Sequence, residues 1–579
     1  MCATPCRPGG AARSSTHTTN TSELRSMISR CQSPNLRFRA GMDDKACYMA
    51  AAGLSLAAFL LVLHRLVVVG RVGGGGGGGG KGNSNAAARR LPPSPPAVPF
   101  LGHLPLLVSG RAFHSSLAGL AARHGPVFSL RLGSRAAVVV SSPACAEACF
   151  TEHDVAFANR PRLPSQELAS FGGAALAVSS YGPYWRTLRR VAAVRLLSTH
   201  RVASSMCPVI SAEVRAMLRR VMSRAAADGR VQLKDSLFEL SLSVLMETIA
   251  QTKTSRTDAD DGVSPEAHEF RRIVDEILPY LGATNPWDYL PSFLRRFDVL
   301  GVRSKIRDVV GRRDAFLQRL IDAERRRLQD DGGDGEGEKK SMIAVMLSLQ
   351  KSEPDVYTDT MIMALCGNLF TAGTETTSST IEWAMSLLLN HPEALKKVEA
   401  EIEAAVGTSG GLITMDDVAG LSYLQCVISE TLRLYPVAPL LLPHESAADC
   451  AVGGYDVPRG TLLFVNAYAI HRDPAVWEEP GEFRPERFGR DGGKAAEAEA
   501  EGRLMLPFGM GRRRCPGETL ALRTVGLVLA TLIQCFHWDR VDGAEIDMTE
   551  SGGLTMPRAV PLEATCKPRQ AMRHVLDQL

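Results

Sequence analysis

The stretch PFGMGRRRCPGETLA, residues 507–521, places one cysteine in a loop that is rich in glycine and arginine. Pro516 and an apolar run follow Cys515 directly, which predicts that an α-helix begins at this point. Backbone N–H groups at the start of a helix stabilise an anion, and nearby arginines favour a thiolate over a thiol. We therefore expect Cys515 to act as a metal ligand or as a nucleophile.

The surroundings of Cys515 favour the metal ligand. A cysteine nucleophile needs a histidine base, which the adjacent sequence does not supply, although a histidine distant in sequence could. A thiolate that binds a haem iron needs instead a cation for a propionate, an aromatic wall and glycines that allow close approach. Arg513, Phe508 and the glycines of the loop provide all of these. The loop therefore indicates a haem-thiolate site.

The composition of the chain argues against several other classes of protein. Its 579 residues exceed the size at which a single core usually stops growing, so a large catalytic unit or several domains are expected. A formal net charge of +4 is small for this length and gives no indication of nucleic-acid binding. The 13 cysteines are scattered without a CxxC pair, so neither a disulfide framework nor a zinc framework is expected.

The N-terminal region predicts a membrane anchor. Residues 46–63 are 18 successive uncharged residues, about the length that a membrane-spanning helix needs, and the cations that follow favour a cytosolic catalytic domain. The composition of residues 1–41 permits a plastid or mitochondrial transit peptide. The preferred alternative is that translation starts at Met42, so that residues 1–41 lie upstream of the protein. The predicted organisation is an extension over 1–41, an anchor over 42–64, a Gly-rich and Pro-rich linker over 65–99, and a haem-binding catalytic domain over 100–579.

A long helix is predicted from Asp359 to Asn390, about 48 Å in length at 1.5 Å per residue. Its middle carries AGTETT, residues 372–377, in which an acid and adjacent hydroxyls interrupt an apolar wall. Gly373 and threonines that bond back to main-chain carbonyls loosen a helix, so a bulge that admits a ligand or water is expected. A kinked helix with a hydrogen-bonded acid is the alternative.

Other segments predict a buried ion pair, strands and loops. In ISETLRLYP, Glu430 and Arg433 stand three apart on one helical face among leucines, and Arg487 of FRPERF offers a third member. A solvated ion pair is the alternative. The run VFSLRLGSRAAVVV, residues 127–140, predicts a hairpin, and GTLLFVNAY predicts a further strand. The polar segments 329–340 and 492–502 predict exposed loops.

The pattern FxxGxRxCxG, which begins here at Phe508, resembles the haem-loop signature of the cytochrome P450 family. The AGTETT, ExxR and PERF segments precede it in the order found in that family. The resemblance covers residues 92–579 and implies a mainly α fold with small β-sheets, carried on the N-terminal membrane anchor of the microsomal members. It also implies haem b, an iron protoporphyrin IX, as the cofactor.

The resemblance implies a role for each candidate residue around the haem. Cys515 would be the axial thiolate, which favours O–O cleavage, and Phe508 would shield it. Four residues would hold the propionates: Arg513, Trp185 and Arg189 of one helix, and His444. A packed aromatic ring and a solvated cation are the alternatives for Trp185 and Arg189. Glu375 and Thr376 would relay protons to bound oxygen, and the structural triad behind the haem would be Glu430, Arg433 and Arg487.

A closer likeness points to a function. FANRPRLPSQ, SSYGPYWRTLRRVA and YPVAPLLLPHES resemble plant A-type members, in the group that contains isoflavone 2'-hydroxylase. This implies an endoplasmic-reticulum monooxygenase that hydroxylates a small hydrophobic, aromatic molecule, such as a flavonoid, an isoflavone-like metabolite or a herbicide. Electrons would come from NADPH through NADPH-cytochrome reductase, with cytochrome b5 as a further partner and membrane lipid as the surroundings of the anchor.

Two other functions stay open. One is a haem-thiolate isomerase or dehydratase that needs no reductase, a branch that commonly lacks the relay threonine present here as Thr376. The other is a non-catalytic membrane haem-binding protein, which a substitution at Cys515, Thr376 or Arg513 would indicate; none is present. Residues 160–182 and 437–443 are expected to line the substrate pocket, while no motif identifies the substrate.

Overall fold

The computed structural model describes residues 89–252, 265–298, 300–330, 340–406, 411–489 and 505–579. The predicted extension over 1–41, the anchor over 42–64 and the linker as far as residue 88 lie outside these residues. The same holds for the predicted loop at 492–502 and for most of the one at 329–340. The fold is therefore described for the predicted catalytic domain and the end of its linker.

The described chain is mainly α-helical, as the sequence predicts. In chain order the α-helices are α1 (Phe113–His124), α2 (Pro143–Phe150), α3 (Asp154–Phe157), α4 (Pro164–Ala169), α5 (Pro183–Arg190), α6 (Thr199–Arg201), α7 (Cys207–Asp228), α8 (Leu233–Ala250), α9 (Pro265–Ile277), α10 (Ser292–Arg296), α11 (Val302–Asp330), α12 (Met342–Ser352), α13 (Asp359–Asn390), α14 (Pro392–Val406), α15 (Met415–Val418), α16 (Ser422–Leu434), α17 (Ala467–Ile470), α18 (Glu518–Cys535) and α19 (Arg573–Leu576). Two π-helical stretches, Val191–Leu196 and Val202–Met206, follow α5 and α6.

Short strands form three small sheets in the described residues. They are β1 (Val127–Leu132), β2 (Arg135–Val140), β3 (Arg230–Gln232), β4 (His444–Glu445), β5 (Cys450–Val452), β6 (Tyr455–Val457), β7 (Leu462–Val465), β8 (Phe536–Arg540) and β9 (Glu563–Pro568). The largest sheet has the order β1-β2-β7-β4: β1 and β2 form the predicted antiparallel hairpin, and β7, the predicted strand, runs parallel to β2. The others have the orders β3-β9-β8 and β5-β6.

Helix α13 runs through the middle of the domain with the predicted bounds. The side chain of Thr358 caps it by accepting the Met361 N–H, and the helix continues unbroken through residues 372–377. The predicted bulge is therefore wrong. The hydroxyls do bond back to carbonyls four residues earlier, but a carbonyl oxygen has two lone pairs and can also accept its helical N–H. Gly373 serves close packing instead, because a Cβ there would lie 2.9 Å from Cδ1 of Leu245 in α8.

Helix α18 links the Cys515 loop to the core. Each of its residues from Thr524 to Cys535 is buried. Within the described ranges it is the one helix that is long and apolar enough to cross a membrane, and 67% of its apolar window is buried inside the domain. Burial on this scale identifies α18 as a core helix.

The proline-rich segment is attached to the edge of the largest sheet. The Pro93 carbonyl accepts the Ser129 N–H of β1 at 2.8 Å, and Gly102 forms a bridge to Leu132. Gly102 has a φ of +66°, and a Cβ on it would lie 2.1 Å from the Arg131 carbonyl oxygen. This close approach leaves no room for a side chain where the segment joins the sheet.

Gly102→Ala is expected to lower the free energy of unfolding far more than Gly110→Ala, its matched control. Gly110 has a similar φ of +76°, but nothing lies within 4 Å of a Cβ there. The left-handed backbone alone costs about 1–2 kcal/mol for alanine, which both variants share. The clash should add at least about 2 kcal/mol for Gly102→Ala. Urea unfolding followed by tryptophan fluorescence measures both, and equal losses would contradict the close approach.

Candidate active site

A cavity of about 300 Å³ lies between α13, α5 and the Cys515 loop. Helix α13 presents Ala372, Thr376 and Thr380 to it, at a spacing of four residues that places them on one face. Most of the other lining side chains are apolar. Residues from both segments that were predicted to line a substrate pocket, 160–182 and 437–443, border the cavity.

Main-chain hydrogen bonds shape the loop around Cys515. The Cys515 N–H donates to the Phe508 carbonyl at 2.8 Å, and the Gly517 N–H donates to Cys515 Sγ at 3.4 Å. Both Cys515 and Phe508 line the cavity. Helix α18 begins at Glu518, so the free N–H groups of its first turn lie close to the sulfur. Cys515 is thus held with its sulfur facing the cavity.

Burial and neighbouring groups act in opposite directions on the pKa of Cys515. Burial raises the pKa of its thiol, and this outweighs the Gly517 N–H and the charges of Arg189 and Arg514, which lower it. Arg514 forms two hydrogen bonds of 2.7 Å with Glu518, whose own charge raises the pKa of Cys515. The arginines favour the thiolate, as the sequence predicts, but burial opposes them and is the larger effect. A metal cation bound to the sulfur would supply the missing stabilisation.

Asp154 of α3, which does not line the cavity, binds the loop through Arg512. Its Oδ1 accepts the Arg512 N–H at 3.1 Å, and its Oδ2 lies 2.9 Å from Nε of Arg512. Gly511, with a φ of +66°, packs so closely here that a Cβ would lie 2.6 Å from the Phe150 carbonyl oxygen. Sequence reasoning missed Asp154, because a lone aspartate on a short helix carries no local signal.

Arg513 projects into the cavity wall beside Trp185. Its guanidinium lies 4.4 Å from the centre of the Trp185 ring, and burial together with Arg189 lowers the pKa of Arg513 to about 9. Its acceptors are three carbonyl oxygens, those of Ala158 (2.8 Å), Leu176 (3.2 Å) and Ser179 (2.6 Å). Because a guanidinium has five N–H groups, two remain for an anion.

Two more arginines line the cavity. Arg189 makes no hydrogen bond with any described residue, and burial lowers its pKa. Arg160, the first residue of the segment predicted to line the pocket, is buried and donates only to main-chain carbonyls, and burial with the nearby Arg513 holds its pKa well below the usual range. Among the described residues, these three cations therefore have no carboxylate as a hydrogen-bond partner.

His444 lies on the same wall in a neutral form. Its Nδ1 is 2.6 Å from the Phe157 carbonyl, so Nδ1 carries the proton. Burial lowers the pKa of His444 well below its usual range, and the charges of Arg160 and Arg513 lower it further. A neutral ring leaves a lone pair on Nε2. The predicted hydrogen bond from His444 to a propionate therefore needs the anion to raise this pKa.

The structure separates Glu375 from Thr376. Thr376 lines the cavity and donates its hydroxyl proton to the Ala372 carbonyl at 2.7 Å. Glu375 is buried but does not line the cavity; its Oε1 accepts from Ser379, and burial raises its pKa although Lys234 opposes the rise. Neighbouring residues of a helix point about 100° apart, so the two side chains face different sides.

Glu430, Arg433 and Arg487 form one buried cluster. The Glu430 carboxylate accepts from Nε of Arg433 at 2.6 Å and from Nε of Arg487 at 3.0 Å. Arg433 and Glu430 are both fully buried, so the solvated alternative is excluded. The other N–H groups of Arg433 donate to Glu430 and to the carbonyls of His471, Pro480 and Glu482. Every donor of this buried guanidinium is satisfied.

His471 connects the cluster to the Cys515 loop. Its carbonyl accepts from Arg433 at 2.8 Å, and its Nε2 accepts the Leu506 N–H at 2.9 Å. Leu506 stands directly before the loop. Burial lowers the pKa of His471 to about 3, so the ring is neutral and Nε2 stays an acceptor near neutral pH. Sequence reasoning missed His471, because no motif identifies a histidine that bonds to the main chain.

The donor set of this cavity fits haem b, the cofactor that the resemblance implies. One sulfur faces the cavity, three arginines lack an anionic partner among the described residues, and apolar walls surround them. A porphyrin with two carboxylates supplies the missing anions, and its iron supplies a cation for the sulfur.

Comparisons with known proteins agree with this geometry. The family model for cytochrome P450 matches residues 92–561. Cytochrome P450 81Q32 of Catharanthus roseus is 46% identical over 490 residues, which are 84% of this chain and 93% of that protein. Isoflavone 2'-hydroxylase of Glycyrrhiza echinata is 41% identical over 493 residues, with 84% and 94% covered. A solved structure of a zebra fish cytochrome P450 with progesterone has a TM-score of 0.66 at 25% identity and covers 79% of this chain and 99% of its own.

Glu430→Gln is expected to lower the free energy of unfolding by about 3–5 kcal/mol, because two buried guanidinium groups would lose their counter-charge. Glu486→Gln is the matched control. Glu486 also accepts from a cation, Lys397, but both side chains are more than half exposed, so a loss of at most about 1 kcal/mol is expected. Urea unfolding of both variants measures the difference. Similar losses of unfolding free energy in the two variants would show that burial does not determine how much the Glu430 ion pairs contribute to stability.

His471→Gln is expected to flatten the pH dependence of stability in acid. The unfolded chain protonates this histidine near pH 6.5, whereas the folded protein holds the pKa at about 3. The folded state thus binds fewer protons, and its free energy of unfolding falls as the pH drops from about 6.5 towards 3, by about 1.4 kcal/mol per unit at most. Glutamine keeps an acceptor for Leu506 but does not titrate.

The measurement is the slope of the free energy of unfolding between about pH 6 and pH 5. His537→Gln, at an exposed position, is the control and should leave the slope unchanged. Parallel curves for His471→Gln and the unsubstituted protein would contradict the neutral, buried state of His471.

Proposed function

The chain belongs to the cytochrome P450 family, and from that premise we propose that it is a haem-thiolate monooxygenase that hydroxylates a small hydrophobic, aromatic molecule. One observation carries this proposal: the sulfur of Cys515 faces the same cavity as Thr376 and three arginines without an anionic partner in the described residues. The presence of Thr376 on the cavity wall favours oxygen chemistry over isomerisation or dehydration.

Haem b is the proposed cofactor. Cys515 would bind its iron, Phe508 would cover the sulfur, and the Gly517 N–H would stabilise the thiolate. Its propionates would be held by Arg513, Arg189, His444 and Arg160. Trp185 donates its one N–H to the Leu176 carbonyl at 3.2 Å, so it would join them only by releasing that carbonyl. When bound, haem supplies the site that activates O2 for insertion of one oxygen atom into the substrate.

Thr376 and Glu375 are proposed to supply protons. The Thr376 hydroxyl can turn from the Ala372 carbonyl towards the cavity, because a threonine hydroxyl rotates freely about its C–O bond. Glu375, with its raised pKa, holds a proton closer to neutral pH than an exposed carboxyl does. Because Glu375 faces away from the cavity, its proton would reach Thr376 through water rather than directly.

The proposed substrate class is a flavonoid, an isoflavone-like metabolite or a herbicide. The apolar side chains that line the cavity, such as Val244, Leu245 and Leu369, exclude water and suit a planar aromatic molecule. The similarity to a protein named isoflavone 2'-hydroxylase supports the aromatic class.

The proposed electron donor is NADPH, acting through NADPH-cytochrome reductase, with cytochrome b5 as a further partner. Arg186 and Arg190 of α5 are exposed and offer a basic surface to an acidic partner. We place the protein in the endoplasmic-reticulum membrane, with an extension over 1–41, an anchor over 42–64, a linker over 65–99 and a cytosolic catalytic domain over 100–579.

Cys515→Ser is expected to abolish the long-wavelength Soret band of the carbon-monoxide complex, because serine removes the thiolate ligand. The full chain is expressed in microsomes, reduced with dithionite and exposed to carbon monoxide. Cys450→Ser, in strand β5 outside the cavity, is the control and should keep the band. A persisting band in Cys515→Ser, or no haem in the folded unsubstituted protein, would refute the proposal. Addition of reductase, NADPH and an isoflavone should then yield a product heavier by one oxygen atom.

A further inference from the structure

A second cavity of about 130 Å³ adjoins the one described above. Residues of α4, the end of α9 and α13 line it, together with the loop that follows α4. Among the described residues, four border both cavities: Ala177, Asn368, Ala372 and Leu442. Asn368 is the one member of this group with a polar side chain, so it stands where the two cavities meet.

The side chain of Asn368 has a defined orientation. Its Oδ1 accepts the Ala177 N–H at 3.0 Å, and only the oxygen of a carboxamide can accept from a backbone N–H. The carbonyl of the same residue, Ala177, accepts a hydrogen bond from Nε of Arg160 at 2.9 Å. Because Oδ1 faces the Ala177 N–H, Nδ2 faces away from it. Nδ2 has no hydrogen-bond partner among the described residues.

Three hydroxyls of α13 that border the cavities donate to main-chain carbonyls. Thr371 donates to the Gly367 carbonyl at 2.9 Å, Thr376 to the Ala372 carbonyl and Thr380 to the Thr376 carbonyl. In this orientation each of the three hydroxyls presents lone pairs to the cavities, whereas the Asn368 carboxamide presents N–H donors without any rotation. Asn368 precedes Thr376 by eight residues on one helical face, a separation of about 12 Å along the axis.

From these contacts we propose that Asn368 determines specificity by donating a hydrogen bond from Nδ2 to an oxygen acceptor, such as a ring carbonyl, on a planar ligand that extends from the Thr376 wall of the first cavity into the second. The inference rests on the proposed function, since it concerns the substrate of the same site. An apolar ligand of equal shape would leave Nδ2 without a partner inside a largely apolar cavity, which costs binding.

The test compares an isoflavone, which has a ring carbonyl, with the matching isoflavan, which lacks it. Dissociation constants are read from the Soret shift of the purified full-length holoprotein, without turnover. The unsubstituted protein should bind the isoflavone roughly ten-fold more tightly. Asn368→Asp keeps an acceptor for the Ala177 N–H but has no donor when ionised, so the preference should vanish. Asn368→Leu should lose it too.

Thr374→Val is the matched control, because Thr374 is buried on the same helix and borders neither cavity. It should keep the ten-fold preference. If Asn368→Asp also keeps it, Asn368 only positions the Ala177 loop and the inference fails. Failure of the unsubstituted protein to bind the isoflavone would overturn the ligand class as well. The long-wavelength carbon-monoxide band, measured on the same samples, shows separately whether the proposed haem-thiolate function stands.

Discussion

The buried Glu430 carboxylate neutralises the charges of two guanidinium groups, those of Arg433 and Arg487. The position of the cysteine loop depends on these ion pairs. Charges removed from water are tolerated only when every donor and acceptor is paired. Arg433 meets this condition by bonding to Glu430 and to carbonyls of the chain around residues 471–482. These contacts join helix α16 to the turn that carries Arg487 and to the chain that leads to the loop. The hydrogen bond from the Leu506 N–H to His471 then fixes the start of the loop.

The arginines of the cavity, in contrast, have no buried carboxylate as a partner among the described residues. Arg433 and Arg487 share an anion with good geometry, so their charges stabilise the fold. Arg160, Arg189 and Arg513 have carbonyls or no described partner, so burial depresses their pKa values and part of their hydrogen-bonding capacity stays unused. This arrangement costs stability in the protein alone, and binding of an anionic ligand would offset that cost. The same residue type is structural in the Glu430 cluster and, under the proposed function, would bind the ligand in the cavity.

Sequence reasoning predicted what local patterns encode. The bounds of α13, the hairpin of β1 and β2, and the spacing of Glu430 and Arg433 follow from periodicity, capping and turn residues. It failed where the outcome depends on distant contacts. Burial outweighs the charges of Arg189 and Arg514 at Cys515, Gly373 packs against Leu245, and Asp154 and His471 act through main-chain groups that no motif reveals.

Helix α13 shows how one element can serve both an apolar cavity and charged groups. Asn368, Ala372, Thr376 and Thr380 recur every four residues and present only uncharged groups to the cavities. Glu375, one position away, turns towards the side where Lys234 is its strongest opposing charge. A carboxylate on the cavity face would be desolvated beside an apolar ligand and would attract the arginines that line the cavity. Because the helix is unbroken through this region, its turn of about 100° per residue keeps Thr376 on the cavity face and Glu375 off it.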